Sequence, residues 1–457
     1  MNNRQPTRTY QNRSRQRGSA IVGVLLVGVV VLVVVTGYLR TSLAQLTSAD
    51  QSHLALSLDT LVDAAADRTL LMLHSGNTAH WQSEGQLRWR TFEDWQLDVD
   101  TPASVWVALE EATDGLVMLI HASARQRNGR LIQRTAEIQL NRQSPFIYGL
   151  EVHDGFTLNG NNIILDSFDS SNGPYANPGN RNDRLIVLSP ATASGSARLN
   201  NANLYGSLYV GAADALALGP QSRVRRSQTP SGQRIDDKAI RHDIRLDRPF
   251  PVAMPQPEDP ILWAGGEAVE IGDRSGFTTE SYVFDDLQIR ANETVRVVGR
   301  VRWYVNGDLH IHGNLVIEED GDLELYLNGD LHAGGGAILN TSEQSEHLRI
   351  FVTSSQPTIL QLAGNARFAG AIYAPYANFR LAGGGNNGHF LGAAVLGSID
   401  INGRYQFHFD EALRFAPQPV HRYAVTSWQR PSGNALRLPQ RLAEMEEPHF
   451  ELAQVDY

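Results

Sequence analysis

The sequence predicts a mainly β protein: a long N-terminal membrane-spanning helix with a small antiparallel sheet, then a right-handed parallel β-helix. Three observations carry that reading. Ser19–Leu39 is a run of twenty-one residues without one charge, dominated by Val and Leu. Leucines then continue at helical spacing as far as Leu73, with no proline between residues 19 and 74. Beyond Pro145 near-identical segments recur at a fixed offset of 22, YVNGDLH at Tyr304–His310 and YLNGDLH at Tyr326–His332. A constant period of this length marks stacked coils.

The apolar run is roughly 30 Å long as a helix, the thickness of a bilayer's hydrocarbon core. In front of it, residues 1–18 carry five arginines and no acid. That asymmetry predicts a cytoplasmic leader (1–18), a transmembrane helix (19–39) and export of everything that follows. A cleaved secretory signal fits less well, because the run exceeds the usual apolar core and no A-x-A site follows it. The formal charge of −10, less the +5 of the leader, leaves −15 on the exported part. An acidic body lacks the electrostatic footprint of a nucleic-acid binder. The absence of cysteine excludes disulfides and thiolate metal sites.

After the membrane segment, Leu43, Leu46, Leu54, Leu58, Leu61, Ala65 and Leu73 keep the three- and four-residue steps, with Asp50, Asp59, Asp63 and Asp67 between them. His74-Ser75-Gly76-Asn77 supplies the stop. Residues 80–142 alternate. Thr113-Asp114-Gly115 and Arg127-Asn128-Gly129-Arg130 read as hairpin turns, the second flanked by Leu116–Ala122 and Leu131–Leu140. Residues 40–145 are therefore expected to form a helix extension with a small sheet upon it.

Gly18-Ser19 lies at the junction of basic leader and apolar helix. That arrangement resembles the type IV prepilin signal, and the segment resembles the PilX-type N-terminus of minor pilins. The run SARQRNGRLIQRTAEIQL at Ser123–Leu140 is similar to the closing hairpin of their heads. The resemblance implies cleavage between Gly18 and Ser19, packing among pilin-like subunits through Gly23, Gly28 and Gly37, and a place in a type IV pilus or type II secretion-like assembly. Gly23 stands where major pilins usually carry a glutamate, which implies a minor, tip or priming subunit, or an uncut anchor.

From Pro145 the chain changes to short β runs punctuated by glycine. FAGAI at Phe368–Ile372 and FLGAA at Phe390–Ala394 repeat the offset of 22. Alternation points Leu309, Ile311, Leu323, Leu325 and Leu327 inward and His310, His312, Asp322, Glu324 and Tyr326 outward. The motifs Phe168–Tyr175, Asn200–Gly211, Gly364–Leu381, Gly388–Leu413 and Tyr423–Trp428 resemble a bacterial β-helical surface domain of unknown function. The domain is set at residues 146–428, with a Pro- and Arg-rich surface insertion at 219–262 and a flexible tail at 429–457.

Chemistry is sparse. The period stacks His310 on His332 and Asp308 on Asp330, with His312 close by, a candidate metal set whose plainer reading is an exposed polar ladder. Glu318-Glu319-Asp320-Gly321-Asp322 lacks calcium-loop spacing and reads as a solvated turn. His408, Asp410 and Glu411 read as the polar cap of the solenoid's end; Ser398 is nearby, but no nucleophile elbow surrounds it, so a triad is unsupported. Tyr304, Tyr326, Tyr373, Tyr376 and Phe379 are candidates to stack on sugars. No catalytic or cofactor-binding residues are expected. The reading is a non-enzymatic minor-pilin-like subunit, single-pass in the inner membrane, with its bulk periplasmic or on the cell surface. Its expected partners are the membrane, other pilin-like subunits and a surface polysaccharide. The alternatives are a carbohydrate-binding or carbohydrate-active protein and a bactofilin-like self-assembling scaffold.

Overall fold

The computed structural model describes the chain except residues 1–14, 76–79, 93–94, 99–100, 113–114, 127–128, 161–162, 258, 262–265, 267, 335, 365–366, 384–387, 420 and 431–457. Most of the basic leader, the tips of both expected hairpins, the Gly76-Asn77 stop and nearly all of the tail lie outside the described residues.

One unbroken helix runs Arg15–Ser75, about 90 Å by its rise. It is apolar enough to cross a membrane. Its hydroxyl residues do not disturb it, because Thr36, Thr41 and Thr47 return their protons to the carbonyl four residues back. Large apolar side chains stay exposed from Val22 to Leu46, somewhat past the expected end at residue 39. The environment then changes. Leu58, Val62, Ala65, Ala66 and Thr69 are buried at three- and four-residue steps, forming one covered stripe.

An antiparallel meander covers that stripe: Gln82–Glu84, Leu87–Phe92, Thr101–Ala112, Gly115–Arg125 and Leu131–Gln143. Alternate residues Val105, Val107 and Leu109, then Leu116, Met118 and Ile120, then Ala136, Ile138 and Leu140, share one core with the helix. Ala65 and Ala66 let the sheet approach closely.

The strand after Leu131–Gln143 in this sheet is not a neighbour in sequence. Arg422–Gln429 pairs antiparallel with it, Val425 opposite Leu140 and Trp428 opposite Ile138. The Tyr423–Trp428 run, assigned by motif to the β-helical domain, thus belongs to the helix-bound sheet. The physical reason is an edge: Leu131–Gln143 ends the meander with unpaired N–H and C=O groups, and the returning chain satisfies them. Arg430 then pairs with Asp63 on the long helix.

Apart from Gln96–Asp98, which pairs antiparallel with Thr101–Ala112, the remaining strands form one large parallel sheet. The 22-residue offset is its register: Leu309 pairs with Leu331, His310 with His332, Tyr304 with Tyr326 and Phe368 with Phe390. Spatial order differs from chain order. One column of strands reads, from one end, Ile240–Arg241, Asn203–Val210, Leu185–Ser189, Gly149–Asn159, His389–Gly403, Arg367–Gly383, Leu348–Val352, Asn314–Leu327, Thr294–Val305 and Thr279–Phe284. At about 4.8 Å per step the column is roughly 43 Å long. The chain enters at its middle, runs to one end, crosses to the far end and winds back to the middle, where it leaves.

A strap makes the crossing. Ile244 N–H donates to Val210 O, Arg248 pairs with Asp154, Tyr373 OH donates to Phe250 O, and Ile261 N–H donates to Ser281 O. Prolines at 249, 251, 255 and 257 remove ladder donors and keep this segment out of the sheet. The expected insertion at 219–262 is therefore partly sheet, since Arg223–Arg225 and Ile240–Arg241 pair in parallel with Asn203–Val210.

Candidate functional site

The repeated NGD tripeptide makes a corner. Asp308 N–H donates to Asp286 Oδ1 at 2.8 Å, Asp330 N–H to Asp308 Oδ1 at 2.8 Å, and Ile359 N–H to Asp330 Oδ1 at 2.7 Å. Each carboxylate thus caps the next coil. The glycine leaves room for it: a Cβ on Gly329 would lie 2.4 Å from both Asp308 Oδ1 and Gly307 O. His310 stacks on His332 with centroids 5.1 Å apart and planes 6° off parallel, and His312 lies 6.3 Å from His310. The stacked aspartates do not call for a cation, because backbone N–H groups stand between them. Among the described residues no three His, Asp or Glu side chains converge as a metal site.

Two other surface expectations change. Glu318, Asp320 and Asp322 are bound by Arg296, Arg274 and Arg349 from other coils. Tyr304, Tyr326, Tyr373 and Phe379 are buried, against the expectation of exposed stacking platforms; Tyr376 is half-buried under Arg248. Tyr304, Tyr326 and Phe351 form a stacked column at 5.4 and 5.3 Å. Tyr326 does leave the sheet outward, but the aromatic column packs on itself, and the strap bonds to Tyr373 beside it.

The densest buried polar cluster lies where the two halves of the stack meet. Gln406–Asp410 pairs with His389–Gly403 on one side and Ile164–Phe168 on the other, placing His408 opposite Asp166. His408, Asp410 and Glu411 are therefore internal to the stack, not its end. They close the last coil in sequence, but that coil docks on the first. Asp410 accepts from Ser170 N–H and Ala412 N–H. Glu411 accepts from Ser167 Oγ and pairs with Arg184. Among the described residues the His408 side chain bonds no backbone group. Its Nδ1 meets Asp166 Oδ1 at 2.5 Å, its Nε2 meets His389 Nδ1 at 3.0 Å, and the Tyr175 ring stacks on it at 3.7 Å.

Tyr175 OH also donates to Asp166, at 2.9 Å, and Arg181 stands over the Tyr175 ring. Burial lowers His408 despite the Asp166 carboxylate. Burial, with the charges of His408, Arg367 and Arg181, lowers His389 to about 4. Burial raises Asp410. An open polar cleft lined by Asp169, Asn172, Asn177, Asn180, Asn182 and Arg184 adjoins this cluster.

A second cluster joins the sheet to the stack. Arg422 meets Glu151 at 2.5 Å, and His153 meets the same carboxylate at 2.7 Å. Burial would raise Glu151, but the His153 hydrogen bond and the Arg422 charge outweigh it and hold it below its ordinary value. The cluster residues Asp166, Tyr175, Arg184, His389, Glu151 and Arg422 were invisible as a group in the sequence. The pairs His408–Asp166, Arg184–Glu411 and Arg422–Glu151 lie 242, 227 and 271 residues apart, with no sequence period to link them.

Residues 265–415 match a family described as a domain of unknown function, DUF7305. The match covers the half of the stack that runs from its far end to the junction. It includes Gly364–Leu381 and Gly388–Leu413 but not the motifs at Phe168–Tyr175 and Asn200–Gly211. No curated protein matches the chain. Among solved structures the chain is similar to the competence-associated pilin ComZ from Thermus thermophilus, at 9% identity and a TM-score of 0.20, over 82% of this chain and 97% of that one.

Proposed function

We propose that the chain is a non-enzymatic, membrane-anchored minor-pilin-like subunit whose head is a right-handed parallel β-helix. One observation carries the reading: a single helix is bare and apolar over its first half and seats an antiparallel sheet on its second. Bare Val and Leu side chains over some 37 Å are stable in lipid or against other helices. Gly23, Gly28 and Gly37 sit on that half with nothing within 4 Å of a would-be Cβ, which leaves room for a neighbouring helix. The parallel register, at an offset of 22 along the Tyr304–Tyr326, Leu309–Leu331 and Phe368–Phe390 pairs, supports a coiled solenoid head, and its reach in both directions from the entry point suits display rather than turnover.

The N-terminus of protein purified from its own membranes tests this. Intact-mass and terminal-peptide spectrometry should find a chain beginning at Ser19 with a methylated amine. A chain still beginning at Met1 would overturn the pilin-like reading in favour of a permanent tether.

A further inference from the structure

We propose that His389 and Arg181 form a binding site for an oxyanion that also brings an O–H, the chemistry of a monohydrogen phosphate group or a uronate sugar. The protons of the cluster fall in one order. Asp166 is an acceptor, so His408 donates to it through Nδ1. The neutral His408 ring then offers Nε2 as an acceptor, and His389 must donate to it through Nδ1. That order leaves His389 Nε2 a bare acceptor. The ring is half-buried at the surface, and no described residue bonds that nitrogen.

The relay is braced from three sides. Tyr175 stacks on His408 and bonds Asp166, strand pairing sets Arg367 beside His389, and the Arg367 guanidinium is held by Glu343. Arg181 is different. Its guanidinium rests over Tyr175, is exposed, and makes no hydrogen bond or ion pair among the described residues. Arg181 and His389 both approach the Tyr175 ring, at 4.6 and 6.4 Å, and the Arg181 charge reaches the His389 ring; an acceptor and a planar donor so placed select a ligand carrying both a negative oxygen and a proton to give. Neutral His389 accepts that proton at physiological pH.

The test is calorimetric titration of the full-length protein in detergent at pH 7 with inorganic phosphate, glucuronate and sulfate. Phosphate or glucuronate should bind at least about tenfold more tightly than sulfate, which matches the charge but has no proton to donate. Phosphate alone would identify a phosphoryl group as the ligand, and glucuronate alone an acidic glycan. His389→Asn keeps a donor toward His408 but removes the outer acceptor. It and Arg181→Ala should each lower affinity about tenfold with an unchanged melting temperature. Equal binding of sulfate, binding that survives both substitutions, or no binding of any of the three overturns the proposal.

Discussion

At the residue scale the corner glycine has the sharpest consequence. Gly329→Ala places a methyl 2.4 Å from a backbone oxygen and from the Asp308 carboxylate that caps Asp330. Neither neighbour is a free side-chain end, so the coil must shift. We expect a loss of about 2–3 kcal/mol in denaturant unfolding, and an unchanged midpoint would show that the corner is slack. The repeat itself was legible, because NGDLH at an offset of 22 stacks by arithmetic. What the carboxylates do was not, since the backbone donors that occupy them carry no sequence signature.

His389 supplies a pH dependence at the same scale. Its folded pKa of about 4 lies below the ordinary 6.5. Between those values the unfolded chain takes up a proton that the folded chain refuses, so stability falls as pH drops from 6.5 toward 4. Asp410 acts in the opposite sense. Burial raises it, and above its ordinary range the folded state binds the proton first, which favours folding as pH falls. His389→Asn should therefore flatten the acid slope of unfolding between pH 6.5 and 4. A slope as steep as in the unsubstituted protein would remove His389 from the account.

At the element scale the periods served well and the pairings did not. Helical spacing from Leu54 to Leu73 located the face that the sheet covers, and alternation along Leu116–Ala122 and Leu131–Leu140 located the face that covers it. The strand Arg422–Gln429 shows no clean alternation, with Val425 and Trp428 exposed and a register shift between Val425 and Ser427, and nothing local says that it pairs with Leu131–Gln143 rather than with the parallel sheet. Its anchor is a charge. Arg422 is the counter-ion of buried Glu151, so Arg422→Ala leaves a carboxylate with 1% side-chain exposure beside His153 alone. We expect a cost of about 3 kcal/mol. Adding Glu151→Gln should recover part of it, because the uncompensated charge then disappears. Equal losses in the single and double variants would show that packing, not charge, fixes the strand.

At the scale of the whole molecule the winding order decides what holds together. Sequence repeats predict strands paired in chain order, and within each half the column of parallel strands follows it. Between halves the order inverts, because Gly149–Asn159 and Ile164–Phe168 pair with His389–Gly403 and Gln406–Asp410 while the strap carries the chain around the outside. No local signal encodes this; it follows from where the pairing edges meet once both halves exist. The junction then bears two full strand ladders, the His408–Asp166 hydrogen bond and the Glu411–Arg184 ion pair, which makes the strap a covalent convenience rather than the bond between halves. A protease site inserted between Gln256 and Pro257 tests that. After complete cleavage the two fragments should elute as one particle in size-exclusion chromatography and separate only in denaturant. Fragments that part under native conditions would mean that the strap, and not the junction, keeps the stack whole.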